Sequence, residues 1–483
     1  MKILFAASEM SPLARTGGLG DVLQAFPAEM QQRGHEVSVV LPFYREIREH
    51  AKLQISSTGV LMSVQVGSKR LDCEVLQAVA ENGVQLFFVK RDEYFDRRGI
   101  YGADGRPYED NAERFIYFSK AVVELARRIK PGPDVVHVHD WQTALVPVFI
   151  KDRGLPFKSV LTIHNLAYQG SFWSYDFGLT NLPGDYFSAK GVEFFGALNF
   201  LKGGILYADA VTTVSGHYAR EIQTVEGGCG LDAVLREQSF KLTGILNGAD
   251  EVEWNPATDK YLPRKYKASS LLGKRTCRNA LLKELALDKA PGGPVFAMVS
   301  RLAEQKGFEI FLPLLDRLLS DDVRLIIMGE GDPAFERDLL LAEKRYRGRF
   351  HYLHGYDDRL AHLMQGGADL ILAPSRFEPC GLTAMYALKY GTIPVARATG
   401  GLHQIVMDCD ATNDSGNGFL FFDYRPEALW DAIGRAKKAF ADPELWREIM
   451  QRAMQANFSW EHAALEYEKI YGEIVGEPVS RLE

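Results

Sequence analysis

The sequence predicts an α/β protein of two doubly wound domains facing each other across a deep cleft. Three observations lead there. Short β-branched runs alternate with longer helical patterns; the alternation restarts after a polar, proline-bearing stretch near the middle of the chain; and 483 residues at 46% apolar and 25% charged content suffice for two sizeable cores. In the first half the strands are ILFAA (3–7), VSVVLP (37–42), VVHVH (135–139), VLTIH (160–164), AVTTV (210–214) and LTGILN (242–247), with a helix near Asp21 to Arg33. Near-continuous apolar runs of this kind suit parallel strands covered on both faces. Residues 51–110 alternate more strictly and read as hairpins at one sheet edge.

The stretch Glu251 to Arg264, with Pro256 and Pro263, reads as irregular and linker-like. A second set of strands follows: VFAMVS (295–300), VRLIIMG (323–329), FHYLHG (350–355), LILAPS (370–375), TIPVA (392–396) and GFLFF (418–422). Helices are expected over Phe308 to Leu319 and Ala334 to Tyr346, and several more over 427–474, with Phe458-Ser459-Trp460 as a break. Open α/β sheets bind ligands at the carboxyl ends of their strands, so function is expected between the domains.

Composition excludes several classes. A net charge of −7 argues against a protein that lives on nucleic-acid phosphates. Cys73, Cys229, Cys277, Cys380 and Cys409 are odd in number, widely spaced and without C-x-x-C, which favours a reducing cytosol over a disulfide framework or zinc ribbon. No apolar run approaches the ~20 residues of a membrane span, and MKILFAASEM reads as a first strand rather than a signal peptide.

Four loops carry polar groups of chemical interest. T-G-G-L-G-D at 16–21 follows the first strand and precedes a helix, so Gly17 and Gly18 either present backbone N–H groups to an anion, with Arg15 beside them, or form an ordinary tight turn. His137 and His139 lie two apart on one strand face with His164 ending a neighbouring strand; a metal cluster and a set of polar groups at the cleft, including Asp140, are the competing readings. SRLAEQKG at 300–307 sets Arg301 and Lys306 on one loop after a strand, suited to a diphosphate or simply solvated. In SRFEPCGLTAMYAL, Glu378 precedes a helix opened by Gly381, Leu382 and Thr383, placing a carboxylate beside unpaired helical N–H groups; it either binds sugar hydroxyls or caps its helix.

Taken in order, SEM (8–10), TGGLGD, HDWQ (139–142), TIHNLAYQG (162–170), FLKGG (200–204), TVS (213–215), LNGAD (246–250), SRLAEQKG, PSRFEPCGLT and TGGL (399–402) make the whole chain resemble the bacterial and plant glycogen and starch synthases, retaining glucosyltransferases with two Rossmann-like domains of GT-B type. The resemblance implies domains at 1–248 (glucan side) and 249–457 (nucleotide-sugar side), with 458–483 packing back on the first. It implies transfer of glucose from ADP-glucose to the nonreducing 4-hydroxyl of an α-1,4-glucan, with no metal or other cofactor, no nucleic-acid or membrane partner, and a cytoplasmic setting.

By position in the matched motifs, His164, Arg301, Lys306 and Glu378 are the expected catalytic residues. The expected substrate-binding set is Glu9 toward the acceptor, Arg15, Gly17, Gly18, Asp21, Asp140, Asn165, Asn247, Tyr356 at the nucleobase, Cys380, Gly381, Leu382 and Thr383. Two departures stand out: Arg15 where the family usually has Lys, which leaves the donor base open between ADP- and UDP-glucose, and His403-Gln404 after TGGL. A non-catalytic glucan-binding protein is the remaining alternative.

Overall fold

Val, Ile and Leu dominate the central strands because both faces of a parallel sheet are covered by crossover helices. The structure, a computed structural model, describes residues 1–50, 52–103, 105–289, 292–409 and 415–476. It divides into two units: Met1–Gly248 together with the C-terminal segment from Trp460, and Ala249–Ser459.

The first unit is built on a nine-stranded sheet. In spatial order its strands are Leu242–Gly244, Ala210–Thr213, Lys158–Ile163, Val135–His139, Lys2–Ala6, Glu36–Pro42, Gln85–Lys90, Lys69–Val79 and Ser56–Val66. The first seven are parallel; the last two add antiparallel pairing, with the register shifting between Ser57 and Leu61. The expected hairpins of 51–110 therefore extend one edge. From Lys2–Ala6 the chain winds one way to Glu36–Pro42 and returns on the other side to Val135–His139, which puts the switch point between those central strands.

The helix Trp460–Val475 completes this unit's core. Trp460 stacks on Phe26 with centroids 5.2 Å apart and Tyr467 lies at 4.5 Å from the same ring. The Tyr471 hydroxyl lies 2.6 Å from His137 Nδ1. On the same helix Glu468, 2% exposed, receives two hydrogen bonds from the Arg33 guanidinium at 2.9 Å and lies 3.0 Å from His35 Nε2. Residues 477–483 of the expected 458–483 segment lie outside the described residues.

The second unit has a six-stranded parallel sheet in the order Phe350–His354, Arg324–Gly329, Val295–Val299, Leu370–Ala373, Ile393–Arg397, Phe419–Phe421. This is the 3-2-1-4-5-6 arrangement of the dinucleotide-binding fold, with its switch point between Val295–Val299 and Leu370–Ala373. Two expectations need correction. The helix over Phe308 to Leu319 is broken into Phe308–Phe311, a 3₁₀ turn Leu312–Leu314 and Leu315–Ser320, because Pro313 has no N–H to continue the helical ladder. Residues 251–264 are not a loose linker: Trp254, Asp259 and Leu262 are buried in the second unit, and the Asp259 carboxylate is held by His362 and Tyr390.

Glu468 is a buried, paired charge of the first core. Burial alone would raise its pKa, but the bonds from Arg33 and His35 outweigh it and hold the carboxyl below its ordinary range. Glu468→Ala leaves Arg33 facing an emptied buried site, and we expect a loss of about 3 kcal/mol or more in urea unfolding of the full chain.

Candidate active site

In each unit the loops leaving the switch point carry the polar side chains. In the first unit Lys2–Ala6 leads directly to Glu9, which is 4% exposed. Its carboxylate accepts from the Thr16 amide (2.6 Å), the Thr16 hydroxyl (2.7 Å), the Gly17 amide (3.0 Å) and the Tyr101 hydroxyl (2.6 Å). Glu9 thus fastens the T-G-G turn from inside. This changes the expected picture of that loop: the Gly17 N–H is already donated to Glu9, and the groups left at the mouth belong to the first turn of helix Gly18–Gln32, which has no intrahelical acceptor for its leading amides. Arg15 and Asp21 lie at the same place and pair with each other at 3.0 Å.

The neighbouring strand Val135–His139 runs directly into Asp140, a non-glycine residue at φ +56° that opens the short helix Asp140–Thr143. Its Oδ1 accepts from the His164 amide at 2.7 Å. Burial pushes the Asp140 acid up to about 7, against the opposing bonds from the His164 and Asn165 amides and with some help from the Glu9 charge. His164, at the end of the next strand, is pushed down to about 3 by burial and is therefore neutral at physiological pH. Its Nε2 sits 2.9 Å from His139 Nδ1, so one imidazole donates to the other. His139 Nε2 is buried without a hydrogen-bond partner.

The three-histidine metal reading does not survive this geometry. His137 Nδ1 is committed to Tyr471 and its Nε2 lies 2.6 Å from Thr162 Oγ1, so ligating a metal would require breaking buried hydrogen bonds. Asn165 uses its Oδ1 to accept from the Ala167 amide. Asn247 is 3% exposed and its Oδ1 has no partner, an acceptor waiting for a donor.

In the second unit Lys306 and Glu378 meet. Val295–Val299 leads to Arg301 and to the 3₁₀ turn Glu304–Lys306; Leu370–Ala373 leads to Ser375 and Glu378. Lys306 Nζ lies 2.6 Å from Glu378 Oε2, and the Ser375 hydroxyl donates to the same oxygen at 2.9 Å. Both bonds fall on Oε2, which leaves Oε1 for another donor. These residues line a small cleft with Ser300, Thr383 and Ala384. Arg301 is exposed and its Nη2 donates to Gln305 Oε1 at 3.3 Å.

Glycines let three loops close on one another here. Gly381, at φ +97°, opens helix Leu382–Lys389, and the Leu382 and Thr383 amides have no carbonyl behind them in the helix. Gly401 N–H donates to the Glu378 carbonyl at 2.9 Å, and a Cβ on Gly400 would stand 1.9 Å from that same oxygen. The TGGL segment is therefore the floor under Glu378. Cys380 is 8% exposed and packed in the same loop. Tyr356 follows Phe350–His354, is 53% exposed, and its hydroxyl donates to Asp358 at 3.3 Å.

Sequence reasoning missed Tyr101, Ser375 and Gln305. Ser375 and Gln305 lie inside motifs already singled out, but Tyr101 reaches Glu9 across 92 positions and has no local signal.

Burial raises the pKa of Asp140, and the effect on stability has a definite sign. Between the ordinary carboxylate value, ~4, and about 7 the folded chain keeps a proton that the unfolded chain has released. Stability therefore falls as pH rises across that window. Asp140→Asn keeps an oxygen for the His164 amide and tolerates positive φ; the expected outcome is that wild type loses thermal stability relative to this variant between pH 5 and 8, read from melting curves across pH.

Comparison with known proteins gives the same frame. Residues 2–237 match the starch synthase catalytic domain family and residues 284–454 the glycosyl transferases group 1 family. The chain is 45% identical over 478 residues to a glycogen synthase of Anaeromyxobacter sp. (strain Fw109-5), covering 98% of this chain and 99% of the relative. It is 42% identical over 485 residues to a glycogen synthase of Myxococcus xanthus (strain DK1622), covering 99% and 100%. Among solved structures it resembles the catalytic domain of starch synthase IV from Arabidopsis thaliana bound to ADP and acarbose, with TM-score 0.92, 33% identity, and coverage of 98% of this chain and 99% of that one. Identity of this order along nearly the whole of both chains goes beyond a shared architecture, and the chain belongs to the glycogen and starch synthase family of glycosyltransferases.

Proposed function

We propose that this protein transfers glucose from ADP-glucose to the nonreducing 4-hydroxyl of an α-1,4-glucan, with retention at the anomeric carbon and without a metal. The single observation that carries this is the full-length likeness to glycogen synthases, joined by a starch synthase whose catalytic domain was solved with ADP and acarbose. No helix among the described residues is long and apolar enough to cross a membrane, and a cytoplasmic enzyme acting on a nucleotide sugar and glycogen is the reading we adopt.

The chemistry asks for charge stabilisation. As the bond from anomeric carbon to phosphate oxygen breaks, negative charge gathers on the diphosphate; the acceptor 4-oxygen bonds to that carbon, and its proton passes to the departing phosphate on the same face. Arg301, Lys306 and the Leu382 and Thr383 amides are the donors assigned to that charge. Because Lys306 already sits on Glu378 Oε2, the same ammonium fixes the carboxylate whose Oε1 is assigned to the glucose hydroxyls. His164, kept neutral by burial, serves as a hydrogen-bonding group without adding charge beside the sugar, with Asn247 Oδ1 as a further acceptor. Glu9, saturated by four donors, is assigned to holding the T-G-G turn rather than to direct contact with the acceptor. Asp140 positions the His164 backbone, and Tyr356 offers its exposed ring to the base.

The direct test is ADP release from ADP-glucose with glycogen as acceptor, run beside UDP-glucose. Faster turnover of ADP-glucose is expected. Binding of the nucleotide sugar with no release of nucleotide from either donor would make the protein a non-catalytic binder, and preference for UDP-glucose would reassign the donor. Lys306→Ala is expected to lower kcat roughly 10²-fold or more, the size associated with removing one preorganised transition-state donor; a kcat within a few-fold of wild type would take Lys306 out of the charge argument.

A further inference from the structure

His139, the last residue of strand Val135–His139, is a buried imidazole to which the proposed transferase chemistry gives no part. Its Nδ1 lies 2.9 Å from His164 Nε2, while its own Nε2 is buried with no hydrogen-bond partner. The ring is held in place. It stacks on His137 with centroids 4.3 Å apart and planes at 25°, and on Phe5 at 6.0 Å and 24°. His137 is itself tied by Tyr471 and Thr162. The His139 backbone is fastened to Thr143, whose hydroxyl oxygen accepts from the His139 amide and whose O–H donates to the His139 carbonyl, each at 2.8 Å.

The orphaned nitrogen decides which imidazole donates. Were His164 the donor, His139 Nδ1 would have to accept, and the His139 proton would sit on Nε2 as a buried N–H with nothing to receive it. A positively charged His139 would carry the same orphan. Phe5 and His137 give no escape, because rings stacked face to face do not present their π faces to one another's edges. A buried N–H without an acceptor is rarer and costlier than an unused lone pair. The reverse arrangement leaves only that lone pair at Nε2 and aims the His139 Nδ1–H at an acceptor 2.9 Å away. His164 Nε2 then accepts, and an imidazole that accepts at one nitrogen carries its proton on the other.

We propose that His139 is a positioning residue for His164: its Nδ1–H donates to His164 Nε2 and fixes His164 as the Nδ1–H tautomer, so that His164 meets its ligand as a hydrogen-bond donor. Which ring nitrogen of a histidine holds the proton is set by the bond that the other makes. In water a histidine side chain favours the opposite form, with the proton on Nε2, so the tautomer at position 164 has to be imposed. His164 is half-buried, and Nδ1 is the nitrogen that is not turned to His139. The identity of the ligand rests on the proposed transferase reading, which this inference deepens: the N–H serves a lone pair on an oxygen of the donor glucose.

The test reads the tautomer directly. The full chain is labelled with ¹⁵N-histidine, and two-bond proton–nitrogen spectra at neutral pH, without substrate, separate the Nδ1–H from the Nε2–H form; the signals missing from His164→Gln identify His164. We expect His164 as Nδ1–H in the wild type and a shift toward Nε2–H in His139→Ala. With ADP-glucose and glycogen, His139→Ala should lose roughly 10-fold or more in kcat/KM, about the worth of one hydrogen bond. His139→Asn, whose amide N–H stands about where Nδ1–H stood, should recover most of that loss. Wild-type His164 found as Nε2–H, a tautomer that His139→Ala leaves unchanged, or an Asn variant no better than Ala would each overturn the assignment. The wild-type spectrum decides even if the Ala variant fails to fold. It also separates the two readings: a protein inactive with every donor but carrying Nδ1–H at His164 would sink the transfer reaction and leave the role of His139 standing.

Discussion

Adjacent parallel strands cannot be joined by a hairpin; each link must cross over the sheet, and the hand of that crossover is fixed. A chain that starts in the middle of such a sheet and winds first one way, then the other, leaves two neighbouring strands whose exit loops part in opposite directions. This chain does so twice. In the first unit the strands are Lys2–Ala6 and Val135–His139, and their exits carry Glu9 and Asp140. In the second they are Val295–Val299 and Leu370–Ala373, and their exits carry Lys306 and Glu378. The chemistry is placed by topology before any side chain is chosen.

What the side chains add is preorganisation. At both switch points a carboxylate is pinned by donors from a second loop: Glu9 by Thr16, Gly17 and Tyr101, and Glu378 by Lys306 and Ser375. Buried charge persists only when paired and hydrogen-bonded, so each carboxylate organises the loop that satisfies it. Gly400 and Gly401 then allow the 399–402 segment to lie directly against the backbone of 378–380, where any Cβ would collide. A site whose charges stand in place beforehand needs little reorganisation when charge develops.

The strands were legible because burial on both faces forces apolar, β-branched runs, and the loops because glycine and charged residues punctuate them at fixed offsets. The Lys306–Glu378 pair is half visible in that way: each residue lies in a loop already singled out, but 72 positions separate them and their contact is a property of the sheet. Tyr101 left no trace, since an aromatic residue in a polar stretch looks the same whether or not its hydroxyl reaches a carboxylate. The polar run at 251–264 misled for a related reason: Pro256, Asp259 and Pro263 break regular structure without saying whether the irregular chain is loose or packed. Its burial depends on Trp254 finding His362 and Tyr386 to stack upon.

By itself the sequence determined the class of fold, the order of strands and helices, the two halves, and which loops hold glycine, cation and carboxylate, because these follow from local periodicity and from the conformations each residue type permits. Tertiary structure alone decided which of those groups are spoken for. That Gly17 gives its amide to Glu9, that His137 is locked by Tyr471 and Thr162, that the Asp259 carboxylate is held by His362 and Tyr390, and that burial pushes the Asp140 acid up to about 7 all depend on distance and burial. Hydrogen bonding and desolvation act over a few ångströms of space, whatever the separation along the chain.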